Sequence, residues 1–456
     1  MARWFCVVCG YVHEGDAPPD VCPVCGVGPE EFERIDVEAT APGPPAVRRI
    51  VVVGNGAAGH HAALAARRTA PEASVRLLAA EPHRFYNRLG LTMFLAGTGE
   101  RERLFLASPD TDREQRLEVH TGDPVAALRL DRTPLEVATR GGQVFACDRL
   151  VLCTGARPFV PSFPGRDRPG VAVLRTLDDA DALIARAPGV ARAVVVGGGL
   201  LGLEAAWGLR QRGVGTVQVL EAAPRLLPRQ LDRAGAALFE RRVRALGLDV
   251  RTGAQLTAVE DGPGAAQVVR LADGAALPCD LVLLAAGIVP ETRLAAAAGL
   301  EVRRGVVVDD ALRTSHPSVW AAGDCAEHRG VVHGLWPVAI SMGAVAGANA
   351  AGGAERLGEV VQATFLKVLG IPLFSAGWTA EPPPGAETLA AVDEAAGVYR
   401  QLVLLDGKVV GGSLVGDPAR SVAVRNAVER HLPVNDRRGD PGAPPAEQIE
   451  RILSGL

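Results

Sequence analysis

An α/β fold with two Rossmann-like dinucleotide-binding domains follows from two stretches of the chain, 49–81 and 193–221. Each reads as a strand, three spaced glycines, a helix and a second strand that ends on an acid. Four of the eight cysteines crowd into the first 25 residues, which predicts a small metal-bound module ahead of those domains. A strand pair, Gln401 to Leu405 and Lys408 to Leu414 around Asp406-Gly407, belongs to an α+β domain expected behind them. The expected bounds are 1–38 for the metal module, 39–46 for a Pro-rich linker, 47–157 with 276–353 for the first domain, and 158–275 for the second. A C-terminal domain is expected at 354–434 and a flexible tail at 435–456, polar and Pro/Gly-rich over Asn435 to Glu447 and ending in a short helix.

At 456 residues the chain can hold two to four domains of the usual ~150. Aromatics are 4%, so the core must be built from Ala, Val and Leu. Only Lys367 and Lys408 among the 48 basic residues are lysines, which we read as codon bias, and a net charge of −4 argues against a nucleic-acid partner. Met1 is followed at once by Ala2-Arg3-Trp4-Phe5-Cys6, with no room for a secretory signal. The uncharged stretch from Gly330 to Ala354 contains six glycines and reads as a buried helix rather than a membrane span. A cytoplasmic chain with no membrane partner is expected.

The metal module comes first. Cys6/Cys9 and Cys22/Cys25 are two C-x-x-C knuckles twelve residues apart. Four thiolates in a tetrahedron suit zinc or iron, and spacing alone favours zinc. Some forty residues bury too little apolar surface to fold unaided, so the metal would supply the missing stability. The surroundings are Trp4, Gly10-Tyr11, Pro18-Pro19, Cys22-Pro23-Val24-Cys25-Gly26 and Phe32. With these the module resembles the short rubredoxin domain of rubrerythrins. That resemblance implies a mononuclear Fe(Cys)4 centre carrying one electron at a time, with a structural zinc ribbon as the alternative.

After the linker, Arg49 to Val53 reads as a buried strand running into Gly54, Gly56 and Gly59, an Ala-rich helix to about Thr69, and a strand from Ser74 ending near Glu81. The glycines allow a tight turn and close approach to a pyrophosphate, the helix N-terminus attracts the phosphates, and the acid suits ribose hydroxyls. The second copy has Gly197, Gly199 and Gly202, a helix through Glu204, and a strand ending at Glu221. A carboxylate at Glu221 would repel a 2′-phosphate, so NADH is expected over NADPH, although Arg225 four residues on could soften that choice.

Further segments recur: Asp148 to Ala156 (D-R-L-V-L-C-T-G-A), Asp280 to Pro290 (D-L-V-L-L-A-A-G-I-V-P) and Thr314 to Glu327 with its A-G-D. From Val47 to about Gly353 the chain resembles the two-dinucleotide-domain flavoprotein reductases. Tyr86 to Gly97 and His333 to Ala339 are most similar to NADH:rubredoxin reductases and to the flavin part of nitrite reductase large subunits, and the segment from Phe365 to Trp378 resembles their C-terminal domain. The resemblance implies FAD at the first site, NADH at the second, and Asp324 on the flavin ribityl chain. It also implies cofactor contacts at Ala57, Ala58, Arg88, Val125, Thr154, Gly155, Leu200, Leu201, Gly287 and Trp336. Pro337 is placed to open a helix to about Asn349.

No cysteine occurs between Cys25 and Cys147, so the flavin-side dithiol of disulfide reductases is missing. Cys147, Cys153, Cys279 and Cys325 read as buried small hydrophobes, and His60 and His61 as packing or surface residues. The expected function is electron transfer from NADH through FAD to the fused iron centre and on to an external redox protein. The alternative is a nitrite-reductase-like flavoprotein whose N-terminal module is a zinc-bound structural or docking element. Hydride transfer needs no side-chain acid or base, so no catalytic residue is assigned. An oligomer is possible.

Overall fold

The computed structural model describes residues 3–6, 11–22, 27–35, 47–262, 267–366, 369–434, 439–440 and 442–455. The predicted linker, 39–46, lies outside them, as do Cys9 and Cys25. The described chain divides into two compact units. One comprises Met1–Leu89, Arg101–Arg157 and Ile288–Val360; the other comprises Gly90–Glu100, Pro158–Gly287 and Val361–Leu456.

In the first unit the N-terminal module is a small antiparallel sheet, Val12–Glu14, Arg3–Cys6 and Phe32–Ile35 in that order. Beside it stands a five-stranded parallel sheet in the order Val319–Ala321, Arg149–Leu152, Arg49–Val53, Ser74–Leu78, Leu117–His120. The run R-I-V-V-V is buried along nearly its whole length, as a strand covered on both faces must be. Helix Ala57–Thr69 follows, rich in Ala and stopped ahead of Pro71. Helix Trp336–Ala350 crosses it closely: a Cβ on Gly343 would lie 2.1 Å from Ala58 O, and one on Gly347 2.0 Å from Ala62 O. The small residues that could suggest a membrane span thus serve this crossing. Among the described residues no helix is long and apolar enough to cross a membrane.

The second unit repeats the plan with strands Val171–Val173, Leu281–Leu284, Arg192–Val196, Thr216–Glu221 and Asp249–Thr252, all parallel. Two domain expectations need correction here. The sequence puts the return to the first domain at 276, yet Leu281–Leu284 pairs with Arg192–Val196, and the return falls at Ile288. The segments D-R-L-V-L (148–152) and D-L-V-L-L (280–284) are counterparts, each pairing with its own glycine-loop strand. Asp148 Oδ2 accepts the N–H groups of Arg48 and Arg49, and Asp280 Oδ2 accepts those of Ala191 and Arg192. Secondly, Gly90–Glu100 belongs with the second unit. Its helix Leu91–Ala96 packs on helices Leu200–Gln211 and Leu177–Arg186, with Arg212 donating to the carbonyls of Leu95 and Phe94 at 2.7 and 2.8 Å.

The C-terminal part is a five-stranded antiparallel sheet in the order Ala363–Leu366, Leu373–Gly377, Lys408–Val415, Val398–Leu405, Glu387–Asp393. The hairpin turn has Asp406 and Gly407 at φ of 51° and 71°, the doubly left-handed geometry that suits twisted strands. The flexible tail expected at 435–456 is corrected where the short helix expected at its end begins, two residues before the expected Glu447 boundary. Pro445–Ser454 is a helix that buries Ile449, Ile452 and Leu453 in the apolar core of this domain.

Candidate dinucleotide sites and metal centre

Both glycine loops have the same construction. Gly54 and Gly197 end their strands at φ of 112° and 124°, where a Cβ would fall 2.0 Å from Cys153 O and 2.4 Å from Ala285 O. Only glycine fits there. A Cβ on Gly59 would lie 1.8 Å from Gly54 O, and one on Gly202 1.9 Å from Gly197 O, so these glycines let each helix start close against its own strand. Gly56 and Gly199 are the N-caps of helices Ala57–Thr69 and Leu200–Gln211, and neither helix has a side-chain cap. A Cβ at either position would meet nothing within 4 Å. Uncapped first-turn N–H groups facing open space make an anion cradle, and Ala57, Ala58, Leu200 and Leu201 supply those turns.

The acids predicted for ribose stand at the ends of the second strands, but each is engaged differently. Glu81 accepts Tyr86 Oη–H and Arg88 Nη2–H, both at 2.7 Å. Arg88 therefore sits in an ion pair beside the first loop. Burial pulls its pKa down, but Tyr86, Glu81 and Asp324 outweigh that and leave it raised. Glu221 accepts the N–H groups of Gly198 and Ala223, each at 2.7 Å, which pins its carboxylate against the second loop. Arg225 donates to the carbonyls of Leu231 and Pro228, both at 3.1 Å, so its guanidinium is committed to its own turn.

Asp324 lies in the short turn Gly323–Cys325, which packs against helix Trp336–Ala350. Trp336 opens that helix and lies parallel to Phe85, centroids 6.1 Å apart. Thr154 Oγ1 donates to Glu291 O at 2.6 Å, and Gly155, at φ 69°, accepts Glu291 N–H at 2.9 Å. Gly287 has φ 114° with open space around it. Val125 begins an antiparallel three-stranded insert and packs against the first domain's core.

Of the four predicted metal ligands, Cys6 and Cys22 are described. Both are buried with Val27 and Phe32, flanked by Trp4 and Tyr11. Cys6 N–H donates to Tyr11 O and Cys22 N–H to Val27 O, each at 2.7 Å and each five residues on. The matched backbone turns that start at Cys6 and Cys22, with the all-cysteine donor set of the sequence, fit a tetrahedral iron or zinc ion. The four later cysteines are all buried, and burial raises every one of their pKa values, to about 12 at Cys147 and about 11 at Cys279. They are buried, as expected, and burial disfavours their thiolates.

One residue escaped the sequence reading. Glu204, on the helix after the second loop, receives a hydrogen bond from Thr92 Oγ1 at 2.9 Å, and burial lifts its carboxyl to about 7. An acid two residues beyond the last loop glycine was the available signal, but its partner lies 112 residues away.

Two parallel sheets, each with a glycine loop and an uncapped helix at its middle strand, define a protein with two dinucleotide-binding domains. The chain belongs to the pyridine nucleotide-disulphide oxidoreductase family, which it matches over residues 48–343. Residues 4–33 match the rubredoxin-like domain of rubrerythrin, a match that indicates iron, and residues 363–432 match the C-terminal domain of rubredoxin NAD+ reductase. The chain is 33% identical to the nitrite reductase [NAD(P)H] of Bacillus subtilis (strain 168) over 85% of this chain and 48% of that protein. It is 34% identical to the rubredoxin-NAD(+) reductase of Pseudomonas putida over 62% of this chain and 74% of that one. It superposes on putidaredoxin reductase in its covalent complex with putidaredoxin with a TM-score of 0.77 and 30% identity, covering 89% of this chain and 99% of that one. It spans about half or less of the nitrite and nitrate reductase proteins it matches.

Proposed function

We propose that this protein is an NADH-dependent flavin oxidoreductase that delivers electrons from NADH, through FAD, to the iron of its own rubredoxin-like module and from there to an external redox protein. The observation that carries the reading is the combination in one chain of two dinucleotide loops and a rubredoxin-like segment with no dithiol between them. Bound FAD supplies the conversion of a hydride's electron pair into single electrons, and a thiolate-held iron accepts them one at a time. The chain's own part is binding and orientation. The loop at Gly54–Gly59 would hold the FAD pyrophosphate, Asp324 its ribityl chain, and the N-terminus of helix Trp336–Ala350 would favour negative charge on the reduced ring. The loop at Gly197–Gly202 would hold NADH, with Glu221 at the ribose diol. Cys6, Cys9, Cys22 and Cys25 would hold the iron. The acceptor is a protein, by analogy with relatives named as reductases of rubredoxin and putidaredoxin, and the setting is cytoplasmic.

Metal analysis with an anaerobic NADH titration tests this. The expected result is one iron per chain, with thiolate-to-iron visible bands that bleach together with the flavin. Zinc and a flavin-only spectrum would instead support a structural module on a flavoprotein that reduces its partner directly.

A further inference from the structure

The first glycine loop contains a donor that the fold leaves without a partner. Asn55 Nδ2 is shielded from solvent and makes no hydrogen bond among the described residues, whereas Asn55 Oδ1 lies 3.3 Å from His60 Nδ1. The His60 ring cannot swing freely. It is buried and stacked on Phe85 at 4.4 Å with 13° between the planes, and Phe85 lies parallel to Trp336. Burial, with His61 adding to it, pushes the His60 pKa down to about 3, so the ring is neutral and carries a single N–H. An amide oxygen only accepts, so the contact of Asn55 Oδ1 with His60 Nδ1 calls for the proton on Nδ1. Held this way, the carboxamide has its NH2 group as the unpaired end, on the residue next to Gly56, the N-cap of a helix without a side-chain cap, where a Cβ would meet open space. Buried amide donors are seldom left unpaired in native proteins.

We propose that Asn55, oriented by His60, donates a side-chain hydrogen bond to the pyrophosphate of the dinucleotide bound at the first loop. The inference rests on the reading that FAD occupies that loop. Asn55 is then a cofactor-binding residue and His60 a positioning residue. Because the added donor is neutral, it strengthens the grip on the phosphates without placing another cation beside the Arg88–Glu81 pair.

FAD release on dilution of the holoenzyme, read by free-flavin fluorescence, gives the test. Asn55→Ala should weaken FAD binding about tenfold, the worth of one hydrogen bond to a charged group. Asn55→Asp has the same size but sets a carboxylate against the phosphates, and should weaken binding at least about tenfold more. His60→Phe keeps the ring stack and removes the N–H; it should cost less than Asn55→Ala and add nothing to it in the double variant. Nitrogen NMR of the wild-type holoenzyme, which does not depend on any variant folding, should show His60 as the neutral Nδ1–H tautomer. Asn55→Asp no worse than Asn55→Ala, or a proton on His60 Nε2, would overturn the proposal. Asp324→Asn serves as a control. If it weakens FAD binding while Asn55→Asp does not, only this inference fails; if neither does, the assignment of FAD to the first loop fails with it.

Discussion

Glu221 holds both of its oxygens on backbone N–H groups of the second loop and the turn beyond it. A 2′-phosphate brought there would face a fixed like charge, and Arg225 is already spent on two carbonyls. NADH should therefore be preferred over NADPH by about ten- to a hundredfold in kcat/KM. Glu221→Ala should erode that preference, chiefly by weakening NADH, and steady-state kinetics with both nucleotides would check it; equal use of NADPH by the wild type would refute the assignment. Glu204 makes a different prediction. Its folded pKa of about 7 stands above the usual 4.5, so the fold favours the neutral acid. The stability this gives is complete below pH ~4.5 and is lost as pH rises through about 7. Glu204→Gln, which is neutral throughout, should match the wild type near pH 4.5 and exceed it at pH 8, by about 1–3 kcal/mol. Thermal denaturation of both proteins at the two pH values gives the comparison, and a constant offset would refute a titrating Glu204.

Helices Ala57–Thr69 and Trp336–Ala350 meet through glycines because nothing larger fits against the carbonyls of Ala58 and Ala62. Their N-termini carry the first glycine loop's phosphate cradle and Trp336, so the crossing sets the spacing of two parts of one candidate site. Gly347→Val would push side-chain carbon toward Ala62 O, where even a Cβ would stand at 2.0 Å. The expected cost is about 1–3 kcal/mol of stability, together with reduced FAD content. Calorimetry and the flavin-to-protein absorbance ratio measure the two effects. A variant with wild-type Tm and full flavin would show that the helices can separate without consequence.

The whole molecule joins two dinucleotide-binding domains to a rubredoxin-like module. Within the first unit, Phe5 of the module packs against the apolar core of the FAD-binding domain, but Cys6 and Cys22 sit in a separate cluster of their own. Loss of the metal should therefore leave the reductase folded. Cys22→Ser should retain FAD and NADH-driven reduction of ferricyanide while losing the iron absorbance and the delivery of electrons to a protein acceptor. If this variant lost its FAD as well, module and reductase would be one folding unit, and the relay would need another account.

What the sequence determined by itself is the local part of this design. Strand, glycine loop and helix at 49–69 and 193–211 and the Asp406-Gly407 hairpin were legible because backbone sterics and turn geometry act over a few residues. The same local resemblance misled the domain boundaries. Asp148–Leu152 and Asp280–Leu284 look alike in isolation, and only strand pairing assigned the second of them to the second sheet. Other features were decided by tertiary structure alone: the capture of Gly90–Glu100 by the second unit, the burial of Glu204 against Thr92, and the ring stack that fixes His60 against Asn55. The Glu204–Thr92 bond joins residues 112 apart. Burial is a property of the assembled core rather than of chain neighbours, and so are the pKa values and hydrogen-bond directions that burial sets.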